Sequence, residues 1–233
     1  MKCATGEVHV WRIELDSPAI SLKRLEAALS REEREKANNF RSTQLRERCV
    51  GARGALRYIL AAYVRAKPHS LLFQTGRYGK PFLSWPVTNI PFNISHTGSL
   101  ALLAISSQGR VGVDAEFIQL IVEVEEISRS FFTALEADEI MSLAPEARLA
   151  AFFACWTRKE AFVKALGEGL YVPIDQFRVT VRPEEFPRLV SMGWYESSRW
   201  SLADVGEQGV AATIAVDGPP PLIRRFDFPA SLD

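Results

Sequence analysis

Cysteine is scarce in this chain: three in 233 residues, at Cys3, Cys49 and Cys155. The count is odd and none are paired at metal-ligand spacing, so the sequence gives no disulfide framework and no zinc site, and a reducing compartment is expected. An N-terminal apolar stretch is also missing. MKCATGEVHVWRIEL lacks the apolar core of a signal peptide. Runs such as YILAAYV and LALLAI are far shorter than the ~20 residues that cross a bilayer. A cytoplasmic chain with no membrane partner is expected. There are only three histidines, and aromatics do not interleave with the basic segment; both argue against a nucleic-acid module. No fixed-period repeat is visible, which excludes a solenoid. Net charge is absent too, with 28 basic against 28 acidic residues.

That neutrality hides a partition. Residues 21–58 hold ten Lys/Arg against five Glu, net +5, and residues 111–147 hold nine Asp/Glu against one Arg, net −8. One segment suits an anion and the other a cation, although two solvated helix faces would look the same. With 47% apolar and 24% charged residues, the composition is that of an ordinary globular protein.

Alternation predicts a strand over 7–15. A short helix follows over 21–29, and S-R-E-E from Ser30 is a capping box that opens another. A long helix is expected over about 43–66, stopped at Lys67-Pro68. FQTGRYGKPFLSW reads as a Gly/Pro-punctuated loop. PFNISHTGSLALLAIS reads as strand, turn, strand, and RVGVDAEF as a further strand. The order then repeats: short helices over 123–143, a long helix from Pro145 to about Gly167, and strands at 176–181, 200–205, 209–216 and 222–228. The fold class expected is α+β, with two halves, 1–107 and 108–233, each helices on a small antiparallel sheet.

The chemistry concentrates in a few short stretches. In GVDAE, Asp114 and Glu116 are two apart, so a strand projects both carboxylates to one face. They need a cation, a proton or solvent to offset their repulsion. Oxygen ligands without Cys or His suit Mg²⁺ or Mn²⁺; a strand end turning into water is the alternative. In WTRKEAFVKALGEGL, Trp156, Glu160 and Lys164 fall on one helical line. A surface Glu–Lys pair at i,i+4 would account for that spacing as well. In GRYGKPF, Gly79 permits close backbone approach, Pro81 stiffens the loop and Lys80 offers a charge for phosphate. In FNISHTG, Ser95 and His96 form a donor pair at a strand end. Arg46, Arg53 and Arg57 share one side of the long N-terminal helix, with Arg48 near its edge, and arginine forks match phosphate.

In order and spacing these motifs resemble the Sfp-type 4′-phosphopantetheinyl transferases, whose signatures are G-V/I-D-x-E and, some way on, W-[ST]-x-K-E-[AS]-x-x-K-x-x-G-x-G-L. The likeness spans about residues 30–182 and includes Arg34–Phe40, ARGALRYIL, GKP and FNISH. It implies pseudo-symmetric α+β halves with the active site in the cleft between them. The implied reaction is Mg²⁺-dependent transfer of phosphopantetheine from coenzyme A to a serine of an apo carrier protein, releasing 3′,5′-ADP. By the resemblance, Asp114, Glu116 and Glu160 are the metal ligands. Glu160 or a metal-bound water is the base, Lys164 steadies the leaving group, and Trp156 orients the helix. Lys36, Arg48, Arg53, Gly79, Lys80, Pro81, Ser95, His96 and Lys159 fall on the coenzyme A side, with the GKP loop facing adenine. Glu33 stands where some relatives carry Lys.

The trimeric holo-acyl-carrier-protein synthases run the same reaction on a D-x-x-x-E pattern and a much shorter chain, which D-x-E argues against. A Mg²⁺-dependent phosphoesterase acting on a small nucleotide would use the same carboxylates. A non-catalytic coenzyme A or carrier-protein module would dispense with one of them. The carrier (acyl, polyketide or peptidyl) is expected to dock by apolar contact near 117–143, where Phe131, Phe132 and Leu135 are candidates. Two halves in one chain make a monomer sufficient.

Overall fold

The computed structural model describes residues 1–169, 172–192 and 199–229. The chain runs β1 (Glu7–Glu14), α1 (Leu22–Ala28), α2 (Arg31–Asn38), α3 (Thr43–Val64), β2 (Leu72–Thr75), β3 (Pro81–Trp85), β4 (Phe92–Thr97), β5 (Leu100–Ser106) and β6 (Val111–Phe117). It continues with α4 (Val124–Phe131), α5 (Ala134–Ser142), α6 (Pro145–Leu166), β7 (Phe177–Val179), β8 (Leu189–Met192), β9 (Trp200–Asp204), β10 (Val210–Asp217) and β11 (Leu222–Phe228).

Local chemistry sets the helix ends. Ser30 accepts from the Glu33 N–H while Glu33 reaches back to the Ser30 N–H, the capping box read from the sequence. Thr133 and Glu136 repeat the device on α5. Pro145 occupies the first turn of α6, and Gly167 ends that helix in the left-handed region at φ 76°.

The larger sheet has the order β11-β1-β5-β4 and the second β6-β10-β9, with the hairpins β2-β3 and β7-β8 separate. Three findings depart from the expected layout, one of them β8, which the sequence did not signal. GRYGKPF is not an open loop: Thr75 pairs with Pro81 and Gln74 with Phe82, making it the turn of the β2–β3 hairpin. The C-terminal half also lends a strand to the other sheet. β11, from the C-terminal half, lies parallel to β1, with Glu7 opposite Leu222 and Ile13 opposite Phe228. The larger sheet is therefore mixed rather than purely antiparallel.

Burial follows from these faces. Trp11, Ile13, Leu103 and Ile105 turn toward Leu56, Ile59 and Leu60 of α3. A second cluster gathers Phe152, Phe162, Val163, Phe177 and Trp200 around α6. The third joins the halves: Val8, Val10, Leu100 and Leu102 meet Val111, Val113, Ala212 and Ile214. With both sides of the seam apolar, the sheets pack as one body. Among the described residues no helix is long and apolar enough to cross a membrane.

Candidate active site

The edges of the two sheets meet where β4 runs alongside β6. Asn93, Ser95 and Thr97 share one face of β4, at intervals of two. Each hands one polar atom to β6. Asn93 Oδ1 accepts from the Val113 N–H at 2.8 Å, Ser95 Oγ donates to Asp114 Oδ1 at 2.9 Å, and Thr97 Oγ1 donates to Glu116 Oε2 at 2.9 Å. Asn93 and Thr97 did not stand out in the sequence, although N-x-S-x-T is a period-two polar stripe in an otherwise apolar strand.

Helix α6 is laid across β6 at short range. A Cβ at Gly112 would sit 2.0 Å from the Ala161 carbonyl oxygen and 2.4 Å from the Ala165 nitrogen. Only glycine tolerates that approach, which explains the first letter of GVDAE. The close packing puts Lys164 onto the strand: its Nζ lies 2.5 Å from Asp114 Oδ1 and 3.0 Å from Ser95 Oγ. Glu160, one turn earlier, faces Asp114 and Glu116 closely enough for both to disfavour its charge.

The electrostatics are those of a site short of positive charge. Burial raises the Asp114 carboxyl above its usual range, against the pull of Lys164 and Ser95. Burial likewise raises Glu116, opposed by the Thr97 hydrogen bond and helped by the Asp114 charge. Glu160 is raised by burial first and by Asp114 next. Asp114 is 2% exposed and its Oδ2 is buried with no hydrogen-bond partner. An orphaned carboxylate oxygen beside two repelling carboxylates fits a hard divalent cation. The three groups do not bring one oxygen each within 4.8 Å of one another. Oxygens bound to one Mg²⁺ at ~2.1 Å stand at most about 4.2 Å apart, so direct ligation by all three requires the carboxylates to close in.

Cations line the other side. His96 sits exposed at the end of β4, and partial burial, Lys164 and Arg53 together lower its pKa. Arg53 has no ion-pair partner among the described residues. The rest of the basic helix is largely committed elsewhere. Arg46 pairs with Glu26, and Arg48 donates to Asp16 Oδ1 at 2.8 Å and Oδ2 at 2.5 Å. Arg57 is buried and donates to Glu33 at 2.7 Å and to the Pro68 and Leu71 carbonyls. That pairing accounts for acid at position 33. Glu33 closes the α2 cap and neutralises Arg57. Lys36 is exposed in the last turn of α2.

Two lysines are placed differently from expectation. Lys159 does not reach the cleft. Its ammonium is fully buried against Glu136 at 2.8 Å and donates to the carbonyls of Ile174 and Phe177. Residue 159 points off the line of 156, 160 and 164 by about 100° per residue, so it enters the core behind α6. Lys80 lies at the tip of the β2–β3 hairpin, between Gly79 and Pro81. Its ammonium donates to the carbonyls of Val111 (2.8 Å), Lys164 (2.6 Å) and Ala165 (3.3 Å). It caps the end of α6 and ties the hairpin to the opposite half. Burial lowers its pKa to about 8. Trp156 packs with Phe131, Phe132 and Phe152 at ring-centre distances of 5.9, 6.1 and 6.0 Å, bracing α6 from α4. Leu170, the last letter of the long motif, lies outside the described residues.

Comparison with known proteins covers both halves. Residues 110–215 match the model of the 4′-phosphopantetheinyl transferase superfamily, and residues 18–108 match that of the 4′-phosphopantetheinyl transferase N-terminal region. Over 217 residues the chain is 34% identical to the 4′-phosphopantetheinyl transferase HetI of Nostoc sp., covering 92% of this chain and 89% of that one. It is 32% identical to a putative 4′-phosphopantetheinyl transferase of Synechocystis sp., over 85% of this chain and 82% of the relative. The transferase Sfp of Bacillus subtilis is 28% identical over 76% of this chain and 78% of its own length.

Proposed function

The chain belongs to the 4′-phosphopantetheinyl transferase superfamily, and from that premise we propose that it moves the 4′-phosphopantetheine group of coenzyme A onto a serine of an apo carrier protein, releasing 3′,5′-ADP. One observation carries the reading most directly. The buried, unpartnered Asp114 Oδ2 stands beside Glu116 and Glu160, and Lys164 holds the other oxygen of Asp114.

Asp114, Glu116 and Glu160 would hold Mg²⁺, or Mn²⁺ in its place. When bound, that ion neutralises charge on the pyrophosphate and favours departure of the nucleotide phosphate. The residues of the chain divide the remaining work. Lys164 spans Ser95 and Asp114 and offers an ammonium to the leaving oxygen. Arg53 and His96 face the same space with positive charge and a ring donor, and suit coenzyme A phosphates. Lys36 and Arg48 stand on the outer rim of the same basic surface, Arg48 after parting from Asp16. Lys80 contributes through the hairpin it anchors, which presents the Gly79 and Pro81 backbone toward the adenine side. Glu160 is suited to accept the serine proton, since burial and neighbouring acids raise its affinity for one.

The carrier would approach the C-terminal half. Leu120 and Val122 are more than four-fifths exposed, and Phe131 and Leu135 are also open. Phe132 belongs to the core beneath them and is not available. The proposed division of labour is a phosphate-binding half up to about residue 107 and a metal-binding half from 108. A monomer in the cytoplasm, with neither nucleic acid nor membrane as partner, suffices for this chemistry.

The test is intact mass. The protein is mixed with coenzyme A, Mg²⁺ and a panel of apo carriers from acyl, polyketide and peptide pathways, with an EDTA arm. A gain of one phosphopantetheine mass that EDTA abolishes supports the proposal, and the pattern across the panel gives the carrier. Coenzyme A binding without any gain points to a non-catalytic module. Release of a nucleotide without transfer points to a phosphoesterase.

A further inference from the structure

A second cluster of ligating side chains lies at the start of β1, apart from the cleft. The sequence C-A-T-G-E-V-H folds back on itself there. Gly6 adopts φ 82°, a conformation costly for residues with a side chain. The Glu7 N–H donates to the Ala4 carbonyl at 3.0 Å, and the Ala4 N–H donates to Glu7 Oε2 at 3.0 Å. The turn lays Cys3 over the strand. Glu7 and His9, two apart, project from the same face of β1. Ligating atoms of Cys3, Glu7 and His9 all fall within 4.8 Å of one another, the one such set of three among the described residues.

We propose that Cys3, Glu7 and His9 form a binding site for a divalent transition-metal ion of the zinc type. Thiolate, carboxylate and imidazole are the zinc donor set, with a fourth position left for water. From bond lengths of ~2.0–2.3 Å, a tetrahedral site spaces its donors by roughly 3.3–3.7 Å, so a small inward movement suffices. The groups behind the donors are already in place. The Nδ1 of His9 meets the Tyr63 hydroxyl, which is itself fixed by the Trp11 N–H at 3.0 Å. Such a partner orients an imidazole whose Nε2 binds metal. Glu7 Oε1 accepts from Arg224 at 3.2 Å, leaving Oε2 turned to His9 Nε2 at 3.1 Å. As the sulfur–metal bond forms, the Cys3 thiol proton passes to water. Cysteine spacing alone gives no sign of the site, because two of its three donors are not cysteines.

The site shares no residue with the catalytic carboxylates. Of the other cysteines, Cys49 lies on α3 and Cys155 is buried on α6. The experiment is a titration of the chelator-treated full chain with Co²⁺, followed by displacement with Zn²⁺. The result expected is one thiolate-bound Co²⁺ per chain, counted by a near-ultraviolet thiolate-to-cobalt band that Zn²⁺ displaces. The band should vanish in Cys3→Ser and persist in Asp114→Asn. Tyr63→Phe should weaken binding by about 10- to 100-fold, the scale for a lost orienting partner. His9 is buried and its variants risk misfolding, so Cys3→Ser and Glu7→Gln carry the test. Absence of the thiolate-to-cobalt band, or a band that survives Cys3→Ser, overturns the proposal.

Discussion

Lys159 and Glu136 form an ion pair at 2.8 Å in which both side chains are wholly excluded from water. It sits directly behind the cleft, so two consecutive residues of one motif, Lys159 and Glu160, about 100° apart around α6, serve different sides of that helix. Glu136 is further satisfied by the Thr133 hydroxyl and by the Val179 N–H at 2.8 Å. The pair therefore fastens α6, α5 and β7 together.

Removing one partner strands a buried charge. Lys159→Met should destabilise the fold by about 3–5 kcal/mol, read as a lower denaturant midpoint. The protein that remains folded should keep its affinity for coenzyme A. A double variant with Glu136→Gln should recover part of the loss. A raised KM for coenzyme A at unchanged stability would instead return Lys159 to the substrate.

Glu160→Gln should separate activity from stability. The substitution is nearly isosteric and removes one of three mutually repelling carboxylates, so the melting temperature should hold or rise. Turnover should fall by roughly 10²-fold or more. Normal turnover at saturating Mg²⁺ would take Glu160 out of the site.

Two arginines one turn apart on α3 should respond differently. Arg53→Ala should raise the KM for coenzyme A by about tenfold, the loss of one charge-assisted contact, and leave the fold intact. Arg57→Ala removes the partner of Glu33 and of two buried carbonyls. It should cost about 3 kcal/mol of stability. Chemical denaturation of both variants, beside steady-state kinetics of Arg53→Ala, checks the contrast.

Lys80 gives a pH signature. Its folded pKa of about 8 lies below the ordinary lysine value of 10.5, so the unfolded chain holds the proton more tightly. This group's contribution to stability therefore rises with pH across that window, by on the order of 2–3 kcal/mol. Urea midpoints of wild type and Lys80→Met, followed from roughly pH 7.5 to 10.5, should show wild type gaining on the variant as pH rises. A constant difference would show that the ammonium is not desolvated.

Much of this was legible in the sequence. The capping box at Ser30, both long helices and the alternating strands follow from local patterns, and the elements expected came out within a few residues of their bounds, whereas β2, β3 and β8 were not expected. The carboxylate stripe of β6 needs only the period of a strand. What was not legible is tertiary. Both sides of α6 are buried, so helical spacing identifies the line through Glu160 and Lys164 but says nothing of Lys159, whose partners lie on α5 and β7. The glycines and proline of GRYGKPF signal a turn, yet the strands flanking it are short and mostly exposed, and they lack the apolar alternation of a half-buried hairpin. The arginines of α3 look alike until Glu26, Asp16 and Glu33 claim three of them and leave Arg53. Nor does residue order foretell that the last strand pairs with the first.

That lent strand bears on how the protein is born. β1 and β5 emerge early from synthesis, but one edge of β1 stays open until residues 222–228 follow. Until then the early half carries an unpaired strand edge, the feature that invites wrong partners. The sheet built on β1 is completed only after residues 222–228 have been translated.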